Sequence, residues 1–185
     1  FMDGFFKGDF GQYFTPRPII EFAVKMMKPE HDWDVLDPAC GSGGFLLHAL
    51  DYMRSQASEY YDKDTVDYFN YWHDFASKHL YGIEINDEIA RVAKMNMIVH
   101  DDGHTNVISF DALDSIDKMH DHNRGFEAGK FDLILTNPPF GSTITKAEKP
   151  YLANYELGKT KDAKGKYKDR PRQSSEILFI ERIWE

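Results

Sequence analysis

Along this chain, short runs of consecutive apolar residues alternate with longer stretches in which apolar residues recur every three or four positions. The first pattern fits strands buried on both faces; the second fits helices that cover a sheet. Asp34-Val35-Leu36-Asp37, Leu80 to Ile85, Val107 to Phe110 and Phe131 to Thr136 therefore predict strands. Ile19, Phe22, Ala23 and Met26 keep helical spacing, in a helix expected to begin at Pro18 because proline disfavours the helical conformation in the residue before it. Phe45, Leu46, Ala49, Leu50 and Met53 mark another helix from about Gly44. Asn86, followed by Asp87 and Glu88, reads as the cap and acidic first turn of a helix running to about Val99. Residues 55–78 are aromatic and acidic and read as a further helix or an insertion. Residues 1–17 read as loop, and a helix is expected from about Ser174 after a long loop.

Strands alternating with helices predict an α/β fold, a doubly wound and mostly parallel sheet covered on both faces, with right-handed crossovers. Ligands then belong beyond the C-terminal ends of the strands. The chemistry-bearing residues of this chain fall at those ends. No internal repeat is visible.

Composition adds bounds. With 185 residues, 42% of them hydrophobic and 29% charged, the chain has the content of one globular domain with a real core. No apolar run reaches membrane-spanning length and no secretory signal precedes the fold, so no membrane association is expected and a cytoplasmic location is. Cys40 is the only cysteine, which excludes an internal disulfide framework. The net charge of −9 is unevenly spread: residues 146–172 hold nine of the 22 basic residues and only four acids. That segment reads as a basic, mobile loop, either simply solvated or in contact with a nucleic-acid backbone.

Asp37-Pro38-Ala39-Cys40-Gly41-Ser42-Gly43-Gly44-Phe45 joins a strand to a helix. Glycines at such a turn let a ligand approach the backbone. A dinucleotide fingerprint starting at Gly41 would need glycine where Leu46 stands, and no Gly-Lys-Ser/Thr follows, so a cofactor without phosphates fits better. Glu84, between Ile83 and Ile85 at the end of the second strand, can accept hydrogen bonds from both hydroxyls of a ribose. Asp111, at the end of the third, is a candidate acceptor for the amino group of a cofactor's adenine or else an ordinary loop acid.

The fourth strand runs into Asn137-Pro138-Pro139-Phe140, the most specific feature of the chain. Two prolines fix the backbone and remove two N–H donors, leaving carbonyls free. An amino group on a planar ring is a poor nucleophile because its lone pair is delocalised. The side-chain oxygen of Asn137 and the carbonyl of Pro138 can accept from both its N–H bonds and localise that pair. Phe140 offers a flat face for an extruded base.

Asn137 to Phe140 resembles the catalytic motif of amino methyltransferases, and Asp37 to Phe45 resembles their S-adenosylmethionine motif. Gly11-Gln12-Tyr13-Phe14-Thr15-Pro16-Arg17 is similar to the segment that precedes the cofactor motif in type I restriction-modification modification subunits, and Ser175 to Glu181 to the helix after their catalytic loop. The resemblance, to the N6-adenine DNA methylases, spans about residues 8–185. It implies a Rossmann-like S-adenosylmethionine-dependent methyltransferase fold and methyl transfer to N6 of adenine in double-stranded DNA. It implies cofactor contacts at Gln12, Tyr13, Phe14, Thr15, Pro16, Arg17, Asp37, Ser42, Gly43, Gly44, Glu84 and Asp111, and catalysis by Asn137, Pro138, Pro139 and Phe140. Specificity and restriction subunits are the implied partners, with two modification subunits per complex. The chain departs from the family in extent, with about four strands where the fold usually has seven, and reads as a catalytic-domain fragment over residues 1–185.

Two other readings remain open on sequence: a protein-glutamine N5-methyltransferase, whose amide substrate is also a delocalised nitrogen, and a non-catalytic cofactor-binding scaffold. A metal site among His100, Asp101, Asp102, His104, His120 and His122 has no recognisable ligand spacing, and none is expected.

Overall fold

The computed structural model describes residues 14–100 and 106–185. A helix, α1 (Arg17–Met27), precedes the first strand, β1 (Val35–Asp37). There follow α2 (Gly44–Tyr60), α3 (Val66–His79), β2 (Leu80–Glu84), α4 (Asp87–Val99), β3 (Val107–Ser109), α5 (Ile116–His122) and β4 (Leu133–Ile134). β1 to β4 form one parallel sheet in the order β3-β2-β1-β4. A bond of 3.0 Å from the Leu135 amide to the Leu36 carbonyl carries the β1–β4 pairing beyond the two residues of β4.

The sheet is buried on both sides because consecutive strand residues point to opposite faces. Val35, Leu80, Val107 and Leu133 pack into one cluster with Leu46, Leu50 and Met53 of α2, Phe75 of α3 and Met97 of α4. Their neighbours Leu36, Tyr81 and Ile108 pack into the other, with Met119 of α5. Strand positions short of the C-terminal ends are then nonpolar, which is why the strands show as unbroken runs that close on Asp37 and Glu84. A fully buried Leu or Phe such as Leu50 or Phe75 contributes about 1.5–3 kcal/mol relative to exposure.

The stretch 55–78 splits into the end of α2 and the separate helix α3, whose cap Thr65 accepts from the Tyr68 amide. Asn86 caps α4 by accepting from the Glu88 and Ile89 amides. α1 begins at Arg17, one residue before the expected start.

The largest difference from the sequence reading lies after Phe140, where a long loop was expected. The chain instead forms β5 (Thr143–Thr145), a 3-10 turn (Pro150–Asn154), β6 (Lys159–Lys161), β7 (Tyr167–Asp169) and β8 (Arg172–Ser174) before the last helix, α6 (Ser175–Trp184). β5 pairs antiparallel with β8, and β6 with β7. Leu152 and Tyr155 anchor the segment by burial in the second core cluster beside Leu178 and Phe179 of α6. Strands of three residues are too short to show an alternating pattern among so many lysines.

Candidate active site

β1 has β2 on one side and β4 on the other, so the direction of winding reverses between β1 and β4. A crevice opens at such a point beyond the strand ends. The glycine turn leaves β1 there, and Asn137-Pro138-Pro139-Phe140 leaves β4 beside it. A cavity of about 1010 Å³ lies between them, at the upper end of the volumes usual for small-molecule sites. Its wall includes Phe14, Thr15, Pro16 and Arg17 ahead of α1, then Asp37, Ser42 and Gly44, then Glu84 and Asp111, and finally Asn137, Pro138 and Pro139. Gly43 is buried with a φ of 89°, and a side chain there would face Ala93 and Met97 of α4 instead of the cavity. Phe140 is 59% exposed and lies off the cavity wall. Gln12 and Tyr13 lie outside the described residues.

On the β1–β2 side two buried carboxylates face the space. Glu84 accepts from the Gly41 amide (3.0 Å) and from the Asn86 amide (2.8 Å), so the glycine turn and the α4 cap both fix it. A carboxylate has about four lone-pair sites, which leaves Glu84 able to accept from a ligand. Asp37 accepts from the Ala39 amide at 3.0 Å. Burial pushes its carboxyl up to about 7, against the nearby Thr136 hydroxyl and the Ala39 amide, while the Glu84 charge adds to the rise. The Thr136 hydroxyl is itself buried and completes no well-formed hydrogen bond among the described residues. Burial, with Asp37 and Glu84 close by, also pushes the Cys40 thiol well up, so it stays neutral. Asn96 of α4 donates to the Ser42 carbonyl (2.9 Å) and ties the turn from the far side.

On the β4 side, Asn137 donates through Nδ2 to the Thr15 hydroxyl at 3.0 Å. That bond turns the other end of the amide, the Oδ1 acceptor, free. Among the described residues neither Asn137 Oδ1 nor the Pro138 carbonyl accepts a hydrogen bond. The Pro139 carbonyl, by contrast, accepts from the buried Ser175 hydroxyl (3.0 Å), and Glu176 accepts from the Gly141 amide. The start of α6 thereby pins the turn while two adjacent acceptors stay open.

Asp111 does not stand alone. Lys149 and the Tyr151 hydroxyl both donate to its Oδ2, at 2.9 and 2.8 Å, and the Leu113 amide donates to Oδ1. Lys149 and Tyr151 also line the cavity, as do Ile85 and Phe110 next to the two strand-end acids. Sequence reasoning missed Ser175, Asn96, Lys149 and Tyr151 as site residues. Asn96, Lys149 and Tyr151 come from distant segments, and nothing local in the sequence marks them; Ser175 is marked only as the first residue of the helix after the candidate catalytic turn. Among the described residues no three His, Cys, Asp or Glu side chains are grouped as a metal would need, and no helix is long and apolar enough to cross a membrane. Asp101, Asp102 and His104 lie outside the described residues.

The chain is similar in sequence and fold to known proteins. The sequence model of the N-6 DNA Methylase family matches residues 5–184. The methylase subunit of the type I restriction enzyme StySPI from Salmonella potsdam is 33% identical over 148 residues, 74% of this chain and 24% of that protein. The methylase subunit of the type I restriction enzyme EcoKI from Escherichia coli (strain K12) is 32% identical over 149 residues, with the same shares. The crystal structure of the EcoKI M protein superposes with a TM-score of 0.62 at 27% identity, covering 94% of this chain and 31% of that one. The chain thus spans about a quarter of the length of the curated relatives it matches.

Proposed function

The chain belongs to the N-6 DNA methylase family, and from that premise we propose that it is the catalytic core of a type I modification subunit, transferring a methyl group from S-adenosylmethionine to N6 of adenine in double-stranded DNA. The single observation that carries this reading is the pair of open acceptors, Asn137 Oδ1 and the Pro138 carbonyl, on the wall of the cavity that also holds Glu84 and Asp37.

The cavity suits the cofactor. Glu84, already oriented by two backbone amides, accepts from the ribose hydroxyls. Ile85 and Phe110 supply apolar surface for the adenine, and Asp111 retains lone-pair capacity for its amino group beside Lys149 and Tyr151. The first amides of α2 have no intrahelical partner and suit a carboxylate, with Thr15 to Arg17 close by. Asp37, costly to ionise alone in this setting, becomes favourable opposite a positively charged ligand. When bound, S-adenosylmethionine supplies an electrophilic methyl on a sulfonium.

The rest is the work of the chain. Asn137 Oδ1 and the Pro138 carbonyl accept the two N–H bonds of the target amino group and localise its lone pair. Thr15 holds the Asn137 amide in the orientation that keeps Oδ1 an acceptor. Phe140, exposed beyond the wall, is available to stack on the extruded base. Catalysis is then positioning and electrostatics without a covalent enzyme intermediate. Cys40 is too deeply buried and too weakly acidic to serve as a nucleophile. We assign DNA reading to a specificity subunit and place the chain in an assembly with restriction subunits and a second modification subunit. A net charge of −9 is compatible with recognition delegated in this way.

The test is to supply the native assembly with tritiated S-adenosylmethionine and either duplex DNA or protein acceptors. Label recovered as N6-methyldeoxyadenosine is the expected result. Label on protein glutamine instead would favour the glutamine methyltransferase, and cofactor binding without any transfer would favour the scaffold.

A further inference from the structure

The four acids of residues 146–172 are engaged within the fold. Glu156 pairs with Lys159, and Asp169 with Lys146. Glu148 accepts from the Thr145 hydroxyl, and Asp162 from the Lys164 and Lys166 amides, which shapes the tip of the β6–β7 hairpin around Gly165 at a φ of 78°. Lys149 is taken by Asp111. Six cations are left: Lys161, Lys164, Lys166, Lys168, Arg170 and Arg172. All six are exposed, and none forms an ion pair among the described residues.

Their placement is as informative as their number. In the hairpin, Lys161 faces Tyr167 across the ladder while Lys168 faces Thr160. Opposed residues share a face and neighbours along a strand alternate, so cations occupy both faces of the ribbon as well as its tip. The Lys161 ammonium lies 5.1 Å from the Tyr167 ring centroid, and Tyr167 is itself 59% exposed. The hairpin is carried on the β5–β8 ladder, which begins three residues after Phe140. Ser142 and Ile144 at the base of that stem line the cavity, and the Ser175 amide closes the stem on the Ser142 carbonyl. In a chain with a net charge of −9, this is a cationic finger rooted at the rim of the candidate active site.

We propose that the β6–β7 hairpin binds the phosphate backbone of the duplex flanking the target base, with Lys161, Lys164, Lys166 and Lys168 as its phosphate contacts. This rests on the reading of DNA as substrate. A two-stranded ribbon is narrow enough for the major groove, and cations on both of its faces meet phosphates on both walls. Such contacts position the duplex without reading its sequence.

The experiment compares the native assembly with a variant carrying Lys161→Gln, Lys164→Gln, Lys166→Gln and Lys168→Gln. Binding to a fluorescent duplex is followed by anisotropy from about 50 to about 200 mM salt. Each phosphate contact contributes about 0.9 to the slope of log affinity against log salt, so the variant slope is expected to be shallower by about 2 to 3.5, with affinity at least about tenfold weaker at the low-salt end. Cofactor affinity and subunit assembly, the latter read by gel filtration, stay unchanged. An unchanged slope and affinity overturns the proposal, and so does a loss of DNA binding that follows loss of assembly, which would make the finger a contact for a protein partner. Failure of the parent assembly to methylate DNA would instead strike the proposed function, so the two failures are separable.

Discussion

Replacing Asn137 with alanine is expected to lower methyl transfer by at least about 100-fold, the scale seen when one pre-placed polar group is removed from a reacting centre, while cofactor affinity stays as in the parent. The division follows from the geometry. Asn137 lies on the β4 side of the cavity, and its side chain makes one hydrogen bond among the described residues, to Thr15. The two acids that face the proposed nucleoside come from β1 and β2, and neither Glu84 nor Asp37 depends on Asn137 for its position. Losing Oδ1 leaves the target amino group with the Pro138 carbonyl alone. Thr15→Val, which removes the partner of Nδ2 and spares both acceptors, should give a smaller loss, and Thr15→Ser should restore it. Single-turnover transfer measured beside calorimetric cofactor titration separates the two effects. Undiminished transfer by Asn137→Ala would remove Asn137 from the chemistry.

Asp37 produces the second large effect, on stability. Its ordinary value is 3.8, and burial lifts it to about 7 in the folded chain. Below about 4 the group is protonated in both states and contributes no penalty. Between about 4 and 7 the unfolded chain ionises freely while the folded chain holds the proton, so folding weakens as pH rises through that window. Above about 7 the penalty is complete, with an upper bound of about 4 kcal/mol from the size of the shift. Asp37→Asn is therefore expected to be more stable than the parent at pH 8 and to differ little from it at pH 4, as read by urea unfolding at both values. A difference that does not change with pH would show that Asp37 ionises without penalty. Added S-adenosylmethionine should narrow the gap at pH 8, because a cation near Asp37 offsets the cost of its charge.

The sheet was legible because its strands are covered on both faces. Val35-Leu36 and Leu80 to Ile83 have no polar position to obscure them, and the strands fall where the apolar runs do. Their ends were less sharp: Phe131 to Thr136 reads as a six-residue strand, but only Leu133–Ile134 is regular, with the Asp132 and Leu135 amides extending the pairing to β1 on either side. α5, seven residues with one buried Met119, was too short and too polar to show a helical face. The segment after Phe140 was opaque for a related reason, its core anchors Leu152 and Tyr155 lying in a short 3-10 turn and just after it, too short a stretch to show a periodic face.

The site followed the same division. Residues adjoining a strand end, such as Glu84 and Asn137, carry their own signal: an acid in an apolar run, or an amide before two prolines. What fixes them does not. Thr15 lies 122 positions from Asn137, and Tyr151 lies 40 from Asp111. Such pairings exist only once the sheet has gathered its loops at one end. The sequence reading of Asp111, as an acceptor for a cofactor's adenine amino group or else an ordinary loop acid, thus lacked the lysine and tyrosine that already hold it.

A crystal structure of the chain with a non-reactive analogue such as S-adenosylhomocysteine bears most directly on the shared pocket. The expected result is a ribose on Glu84 and a sulfur directed toward Asn137 and the Pro138 carbonyl. An analogue lodged elsewhere, for instance in the smaller cavity of about 140 Å³ beside Phe126 and Trp184, or bound with its sulfur turned away from Asn137, would contradict it.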